Sequence, residues 1–222
     1  MNAIPLDLQI LNALSALLLL LSFSMLSQRR IVSLVNLLAM QGLLLTVATL
    51  LVAWRTGETH LYLSGLLTFA LKVVFLPWLL HRLIRRLEVY WDTEPLLNIP
   101  GTMLIGVLIV VFSFGLAQPI AELASESTRN TIGIAVAVIL LSFLMMITRS
   151  KAMSQVVGFL SMENGLFFGA MGATRGMPMV VELGIALDIL VAMLVLGVFF
   201  FQIREQFDSL DLHHLESLKE GD

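Results

Sequence analysis

The sequence predicts an all-α polytopic membrane protein of about seven transmembrane helices, on the basis of composition and of the spacing of apolar runs. Of its 222 residues, 58% are hydrophobic and only 13% are charged, whereas soluble domains carry about 25% charged residues. The apolar residues form runs of about 20, the length at which a helix crosses the hydrocarbon core. An open strand could not satisfy its backbone hydrogen bonds in lipid, so these runs are expected to be helices.

Each predicted span is an apolar run bounded by polar or charged residues. In chain order the seven are Leu8–Leu26, Ile31–Trp54, Leu61–Leu80, Thr102–Ile120, Thr131–Ile147, Ala152–Ala173 and Met179–Ile203. The first is expected to be retained, because the start MNAIPLDLQ lacks the basic region of a signal peptide. Between the third and fourth, His81–Pro100 mixes arginines with Tyr90 and Trp91. That mixture is typical of a segment at the membrane interface.

The basic residues between the spans predict the orientation of the chain, since cytoplasmic loops carry the excess of Lys and Arg. The ends of spans one, three, five and seven are followed by Arg29, Arg30, Arg82, Arg85, Arg86, Arg149, Lys151 and Arg204. The opposite side has only Arg55, Arg129 and Arg175. We therefore expect the N-terminus outside and the C-terminus in the cytoplasm.

Three parts are predicted along the chain. Residues 1–100 form an N-terminal three-helix membrane block with the cytoplasmic interfacial segment, and residues 101–205 form a C-terminal four-helix block. Residues 206–222 form a cytoplasmic tail. In the tail, leucines at 210, 212, 215 and 218 suit a short amphipathic helix, and its acids outnumber its bases. A protein surface is therefore a better partner for it than anionic lipid.

Several kinds of chemistry are excluded for this chain alone. It has no cysteine, so it holds no iron–sulfur cluster or thiolate zinc site. Its histidines, His60, His81, His213 and His214, lie at or beyond helix ends, where no pair can ligate a mid-membrane haem. No phosphate loop, nucleophile elbow or metal-binding helix motif occurs, and the net charge of −3 does not indicate nucleic acid. We expect no catalytic residue, no metal and no cofactor in this chain.

Four ionisable residues lie inside the apolar runs, namely Lys72, Glu163, Glu182 and Asp188. Charge at mid-bilayer costs about 2.5–3.5 kcal/mol per residue even on lenient scales. Lys72, Glu163 and Asp188 each lie about ten residues from the outer end of their span, or about 15 Å at 1.5 Å per residue. They are therefore expected at one depth, near the midplane. Glu182 is shallower, about one turn into the last span.

The positions of the small residues in the last two spans indicate where these helices pack closely and which way their acidic residues face. A stripe of small residues, Gly165, Gly169, Gly172 and Gly176, lets another helix approach closely. Glu163 lies two residues before this stripe begins, about 200° around the helix, and so faces a different neighbour. Asp188 is flanked by Gly184 and Ala192, which indicates close packing there as well.

Two interpretations stay open for these side chains. Glu163 and Asp188 relay protons or ions, or they are carboxyls that hold helices together. Lys72 is part of the relay or a structural counter-ion, and Glu182 is a near-surface group or a proton entry point. Pro77, five residues after Lys72, removes a backbone hydrogen bond and is a candidate for a kink.

Four stretches carry a family resemblance: GFLSMENGLFFGAM (Gly158–Met171), VVELGIALDILVAMLVLGVFF (Val180–Phe200), LKVVFLPWLL (Leu71–Leu80) and LDLHHLESLK (Leu210–Lys219). Together they resemble the hydrogenase-4 component E family of membrane subunits in nickel–iron hydrogenases and formate hydrogenlyase-like complexes. The C-terminal half of such proteins is similar to the small K subunit of respiratory complex I and to the small C component of multi-subunit cation/proton antiporters. In the complex I relatives, two adjacent helices each carry a mid-membrane glutamate in the proton path.

The resemblance implies site residues. Glu163 lies at the position of the first of these glutamates. Asp188 lies at the position of the second, so aspartate replaces glutamate there, and Glu182 is the competing candidate for that position. Lys72 lies outside the region that the small subunits share.

The resemblance also implies where the protein is located and which subunits surround it. The chain would be part of a complex in the cytoplasmic membrane of a bacterium or archaeon, relaying protons or coupling sodium movement. Antiporter-like and quinone-chamber-like membrane subunits would be its neighbours. Nickel, iron and iron–sulfur clusters would sit on the hydrogenase large and small subunits, unless the complex has lost the metal site. The alternatives are a purely structural scaffold subunit and, less favoured, a free-standing seven-helix transporter.

Overall fold

The computed structural model describes residues 6–57, 59–87, 90, 98–121, 126–173, 184, 186–193 and 197. Within these ranges the chain is helical and contains no strand, which confirms the all-α prediction. The elements are α1 (Leu6–Ser27), α2 (Ile31–Thr56), α3 (Thr59–Thr68), a π-helix (Phe69–Phe75), α4 (Leu76–Leu87), α5 (Ile99–Ala121), α6 (Glu126–Thr148) and α7 (Ala152–Ala173). Residues 186–193 are also helical.

Five described helical stretches are long and apolar enough to cross a membrane, and they overlap the first five predicted spans. They are Gln9–Ser27, Ile31–Thr56, Leu61–Leu87, Ile99–Gln118 and Asn130–Thr148. The sixth predicted span is the helix α7, but its polar residues, among them Glu163 and Asn164, make it less apolar than these five. The range Met179–Ile203 lies largely outside the described residues. Seven crossings and the outside N-terminus therefore stay predictions.

Contacts divide the chain into two units, Met1–Asp188 and Ile189–Asp222. In the first unit α6 packs between α5 and α7, α1 packs against α2 and α6, and α2 packs against α7 and the π-helix. In the second unit only residues 189–193 and 197 are described. The predicted division at residues 100 and 205 stays a prediction. Of the interfacial segment, Tyr90 is described, and its carbonyl accepts a hydrogen bond from the Ile31 N–H at 3.1 Å.

The glycine stripe of α7 is the surface that packs against α6. A Cβ atom on Gly165 would lie 2.9 Å from Val138 Cγ1, and one on Gly169 would lie 2.8 Å from Ala135 Cβ. Such distances are below van der Waals contact, so only glycine allows the two backbones to come this close. Gly176 lies outside the described residues. The stripe thus serves packing and leaves the rest of α7 free for other neighbours.

Lys72 lies in the middle of the π-helix, where the backbone is wider than in an α-helix. The Leu76 N–H bonds to the carbonyl of Leu71, five residues back. The segment ends two residues before Pro77, which has no N–H to give to an α-helical hydrogen bond. The sequence predicted a candidate kink at Pro77, and the structure has a π-helix immediately before this proline. Such π-helices occur often at functional sites.

Gly42 of α2 determines how closely α2 approaches Lys72. A Cβ atom there would lie 2.9 Å from Lys72 Cβ and 3.1 Å from the Lys72 carbonyl carbon and oxygen. Gly42→Ala should therefore push α2 away from the π-helix and destabilise the protein by about 1–3 kcal/mol. The measurement is thermal unfolding of the purified protein in detergent.

Gly115→Ala is the matched control, because a Cβ atom on Gly115 of α5 meets nothing within 4 Å. This substitution should be neutral or slightly stabilising, since alanine is the better helix former by about 0.5–1 kcal/mol. Equal unfolding temperatures for the two variants would contradict the close approach at Lys72.

Arg149 follows α6 and lies at the C-terminal end of α1. It is buried, and its Nη2 donates to the carbonyl oxygens of Leu26 at 3.0 Å, Met25 at 3.4 Å and Gln28. The last carbonyls of a helix have no partner within the helix, and that end carries partial negative charge. In the sequence Arg149 serves only as an orientation signal, but the structure also gives it a packing role. It joins the ends of α1 and α6.

Candidate functional site

Lys72, Glu163 and Asp188 form one buried cluster, here called the buried triad. Lys72 Nζ donates to Glu163 Oε1 at 2.9 Å and to Asp188 Oδ1 at 2.6 Å. The side chains are only 4%, 1% and 0% exposed, respectively. The structure therefore brings together three of the four predicted residues from positions up to 116 apart in sequence. Glu182, the fourth, lies outside the described residues.

Each member reaches the triad from a different element. Lys72 comes from the π-helix, with Gly42 of α2 directly behind it. Glu163 comes from α7, on the side turned away from the glycine stripe, as the helical spacing predicted. Asp188 comes from the helical residues 186–193, one turn after Gly184, whose Cα faces the ring of Phe167 in α7. Gly42 thus lets α2 approach Lys72 closely, and Gly184 lets the segment that carries Asp188 approach α7 closely.

The charges of the triad do not balance. With all three groups ionised the sum is +1 −1 −1 = −1, in a place where an uncompensated charge costs several kcal/mol. Glu163 Oε2 and Asp188 Oδ2 are buried, and neither has a hydrogen-bond partner within the described part of the chain. One proton, or one monovalent cation, on these two oxygens would make the cluster neutral. The geometry therefore leaves one negative charge uncompensated when all three groups are ionised.

A chain of buried polar side chains begins beside Glu163 and crosses three helices. Asn164 Nδ2 of α7 donates to Gln41 Oε1 of α2 at 3.3 Å. Gln41 Nε2 donates to Ser22 Oγ of α1 at 2.8 Å, and Ser22 Oγ donates to the Leu18 carbonyl at 2.9 Å. Sequence reasoning missed these residues. A signal was present, since Gln41 is an amide within an apolar span and such groups bond across membrane helices.

A small cavity separates this polar chain from the triad. It is lined by Leu38, Lys72, Leu76, Leu160 and Asn164, and offers about 10 Å³ to the centre of a water molecule. That is close to the smallest volume that holds one water. An ammonium has three donors, and two of those on Lys72 serve the carboxylates. A water here could accept the third and donate to Asn164 Oδ1.

The described residues contain no cluster of three or more His, Cys, Asp or Glu side chains that could hold a metal ion. His81 lies in the middle of α4, six residues before the helix ends at Leu87, so the prediction that it lies at a helix end is wrong. Its Nδ1 is 2.7 Å from the Pro77 carbonyl oxygen. His213 and His214 lie outside the described residues.

Comparison with known proteins finds relatives over most of the chain. It is 35% identical over 194 residues to the uncharacterized protein Rv0085 of Mycobacterium tuberculosis, covering 87% of this chain and 88% of that protein. It is 23% identical over 210 residues to hydrogenase-4 component E of Escherichia coli K12, covering 95% and 97% of the two chains. Hydrogenase-4 component E of Shigella flexneri gives the same values. No family model matches, and no solved structure matches.

The distant similarity extends over far more of the chain than the stretches SMENG and VELGIALD, and it supports a relationship to hydrogenase-4 component E. The similarity to subunits of complex I and of antiporters stays a prediction. The 35% identity to Rv0085 is the stronger of the two matches, and it defines the family of this chain. The chain belongs to the same protein family as Rv0085 of Mycobacterium tuberculosis and is distantly related to hydrogenase-4 component E.

Proposed function

We propose that this protein is a membrane subunit of a hydrogenase-related complex and that Lys72, Glu163 and Asp188 relay protons within the membrane. The relationship to hydrogenase-4 component E supports the first part. The second rests on one observation, a single buried ammonium hydrogen-bonded to two buried carboxyl groups. Ionisable residues inside membrane helices are by default candidates for such pathways. Antiporter-like and quinone-chamber-like subunits would be the neighbours, and the nickel–iron and iron–sulfur centres would lie on other chains.

The charge count supports the relay. With Lys72 protonated, one further proton on either carboxyl makes the triad neutral, and a second would leave it at +1. The proton can reside on Glu163 Oε2 while Lys72 pairs with Asp188, or on Asp188 Oδ2 while Lys72 pairs with Glu163. Because Lys72 already contacts both acids, the exchange needs only a small movement of its flexible side chain. A sodium ion bound by the two carboxyl groups would neutralise the triad equally well, so the experiment below records both ions.

Water in the small cavity would extend the site towards the N-terminal helices. It would link the third donor of Lys72 to Asn164 and, through Gln41, to Ser22. Amide side chains do not release protons readily, so this branch would orient Lys72 and its water. The proton itself would move between water and the carboxyl oxygens.

Glu163→Gln tests the relay. The amide has nearly the same shape as the carboxyl group, so α7 should still pack and the complex should still assemble. Ion translocation by the intact complex should fall by at least about tenfold, because the group that carries the proton is gone. Proton uptake into inverted vesicles supplied with the electron donor of the complex is the measurement, with sodium uptake recorded in parallel.

Ser161→Ala is the control on the same helix. Its hydroxyl accepts a hydrogen bond from Ser142 Oγ at 2.9 Å across the α6 interface, away from the triad. This variant should translocate ions like the wild type. Unchanged translocation in an assembled Glu163→Gln complex would refute the relay, and a fall in sodium uptake alone would assign sodium as the ion.

A structural role for the triad is the second candidate. The observation that favours it is that Lys72 bonds both carboxyl groups at short distance and so connects three elements. A buried ion pair of this kind can fix helix packing without moving any ion. The two candidates differ in how a triad without charges would behave.

A further inference from the structure

The helix α4 has two chemically different faces. Leu79, Leu80 and Leu83 are buried against the protein. The opposite face carries Trp78 and then, four, seven and eight residues later, Arg82, Arg85 and Arg86, all of them exposed. These spacings place the four side chains on one side of a helix. The result is a stripe of one indole and three guanidinium groups directed away from the packed core.

The stripe borders a cleft of about 330 Å³, lined by Trp78, His81, Arg82, Arg85 and Arg86. The Arg82 guanidinium lies over the Trp78 ring, with its carbon 5.4 Å from the ring centroid. His81 Nδ1 lies 2.7 Å from the Pro77 carbonyl oxygen, which fixes the orientation of the imidazole. No carboxyl group of the described residues lines the cleft. The lining of the cleft is therefore basic, and contacts within the protein partly set the positions of Arg82 and His81.

The position along the helix places this cleft at the membrane surface. A hydrocarbon core of about 30 Å requires about 20 helical residues, so a span that begins at Leu61 reaches the far boundary near Leu80. The arginines that follow then lie at the level of lipid headgroups, where tryptophan is also enriched. Towards the membrane interior the stripe continues as exposed apolar side chains, with Val74 54% and Phe75 37% exposed.

We propose that this cleft binds the headgroup phosphate of an anionic phospholipid. Guanidinium groups match phosphate oxygens with two parallel hydrogen bonds. The apolar surface of Val74, Phe75 and Trp78 lies next to the basic residues and gives an acyl chain a place to pack. That combination fits a lipid, which has both parts, better than free phosphate, which has one. Basic pockets beside membrane helices are known lipid headgroup sites.

Native mass spectrometry of the complex, reconstituted with defined lipids and released in mild detergent, tests the proposal. The double variant R82Q/R85Q should retain at least about tenfold less phosphatidylglycerol or cardiolipin than the wild type, which corresponds to about 1.4 kcal/mol. R29Q, which removes an exposed arginine from the α1–α2 connection, should retain lipid normally. R82K/R85K should be intermediate, because lysine keeps the charge but loses the paired geometry. Circular dichroism of each variant confirms that the helices are intact.

Several outcomes would overturn the assignment. Equal retention by the wild type and R82Q/R85Q would show that the cleft does not hold the lipid. Equal retention of phosphatidylcholine would show that headgroup charge is not read, and displacement by millimolar inorganic phosphate would identify a soluble anion as the ligand. Loss of a neighbouring subunit from R82Q/R85Q with lipid retention unchanged would make the cleft a protein interface instead. The outcome is independent of the relay, because none of these residues contacts the triad.

Discussion

Lys72→Met should destabilise the protein by about 3–5 kcal/mol, because it leaves two buried carboxyl groups without their common cation. Both acids are essentially inaccessible to solvent and each bonds to Lys72 Nζ. Without the ammonium, they must either both take up protons or separate, and either change disturbs the contact between the π-helix and α7. The yield of assembled complex and its unfolding temperature in detergent measure the effect. Lys151→Met, which removes a half-buried lysine outside the triad, is the control.

A variant in which the triad carries no charge distinguishes an ion relay from a purely structural role. The variant K72M/E163M/D188V removes all three charges and puts apolar side chains of similar size in their place, so it should recover most of the stability that Lys72→Met loses. Replacement of a buried ion network by apolar groups of similar volume is often harmless to stability. If the triad is a relay, this stable complex should move no ions through the site. If it recovers both stability and ion translocation, the triad is structural and the relay is wrong.

Arg149→Met should cost about 3 kcal/mol of stability, the second largest effect that we expect. The substitution keeps much of the aliphatic packing but removes the charged donor to three carbonyl oxygens at the end of α1. A buried acceptor left without a partner costs about 1–3 kcal/mol, and more when the lost donor was charged. The unfolding temperature should fall, and peptides covering residues 22–28 should exchange amide hydrogen faster.

The exposed Arg29 provides the comparison for this variant. Arg29→Gln removes one positive charge from the same region and should leave the unfolding temperature nearly unchanged. An Arg149→Met protein that unfolds like Arg29→Gln would mean that the carbonyls at the end of α1 find other partners. Arg149→Lys should lie between the two, since an ammonium reaches fewer carbonyls than the guanidinium fork.

The sequence predicted the helices because apolar length is a strong signal in a membrane protein. α7 spans the same residues that the apolar run Ala152–Ala173 defined, and α2 begins at the predicted Ile31. The common depth of Lys72, Glu163 and Asp188 was a prediction from the constant rise per helical residue, counted for all three from the same surface. The turn of Glu163 away from the glycine stripe followed from the rotation per residue.

Other features depended on which helices are neighbours and how each is rotated about its axis. The bond from Asn164 to Gln41 and the carbonyls beneath Arg149 arise from contacts between distant parts of the chain. In lipid both faces of a helix are apolar, so hydrophobic periodicity does not mark the face that packs. Composition and length therefore determined the helices and the predicted depth of the charges, whereas only tertiary packing decided their partners. The reason is that contacts between membrane helices depend on shape and on individual polar groups, with no hydrophobic gain to favour one face.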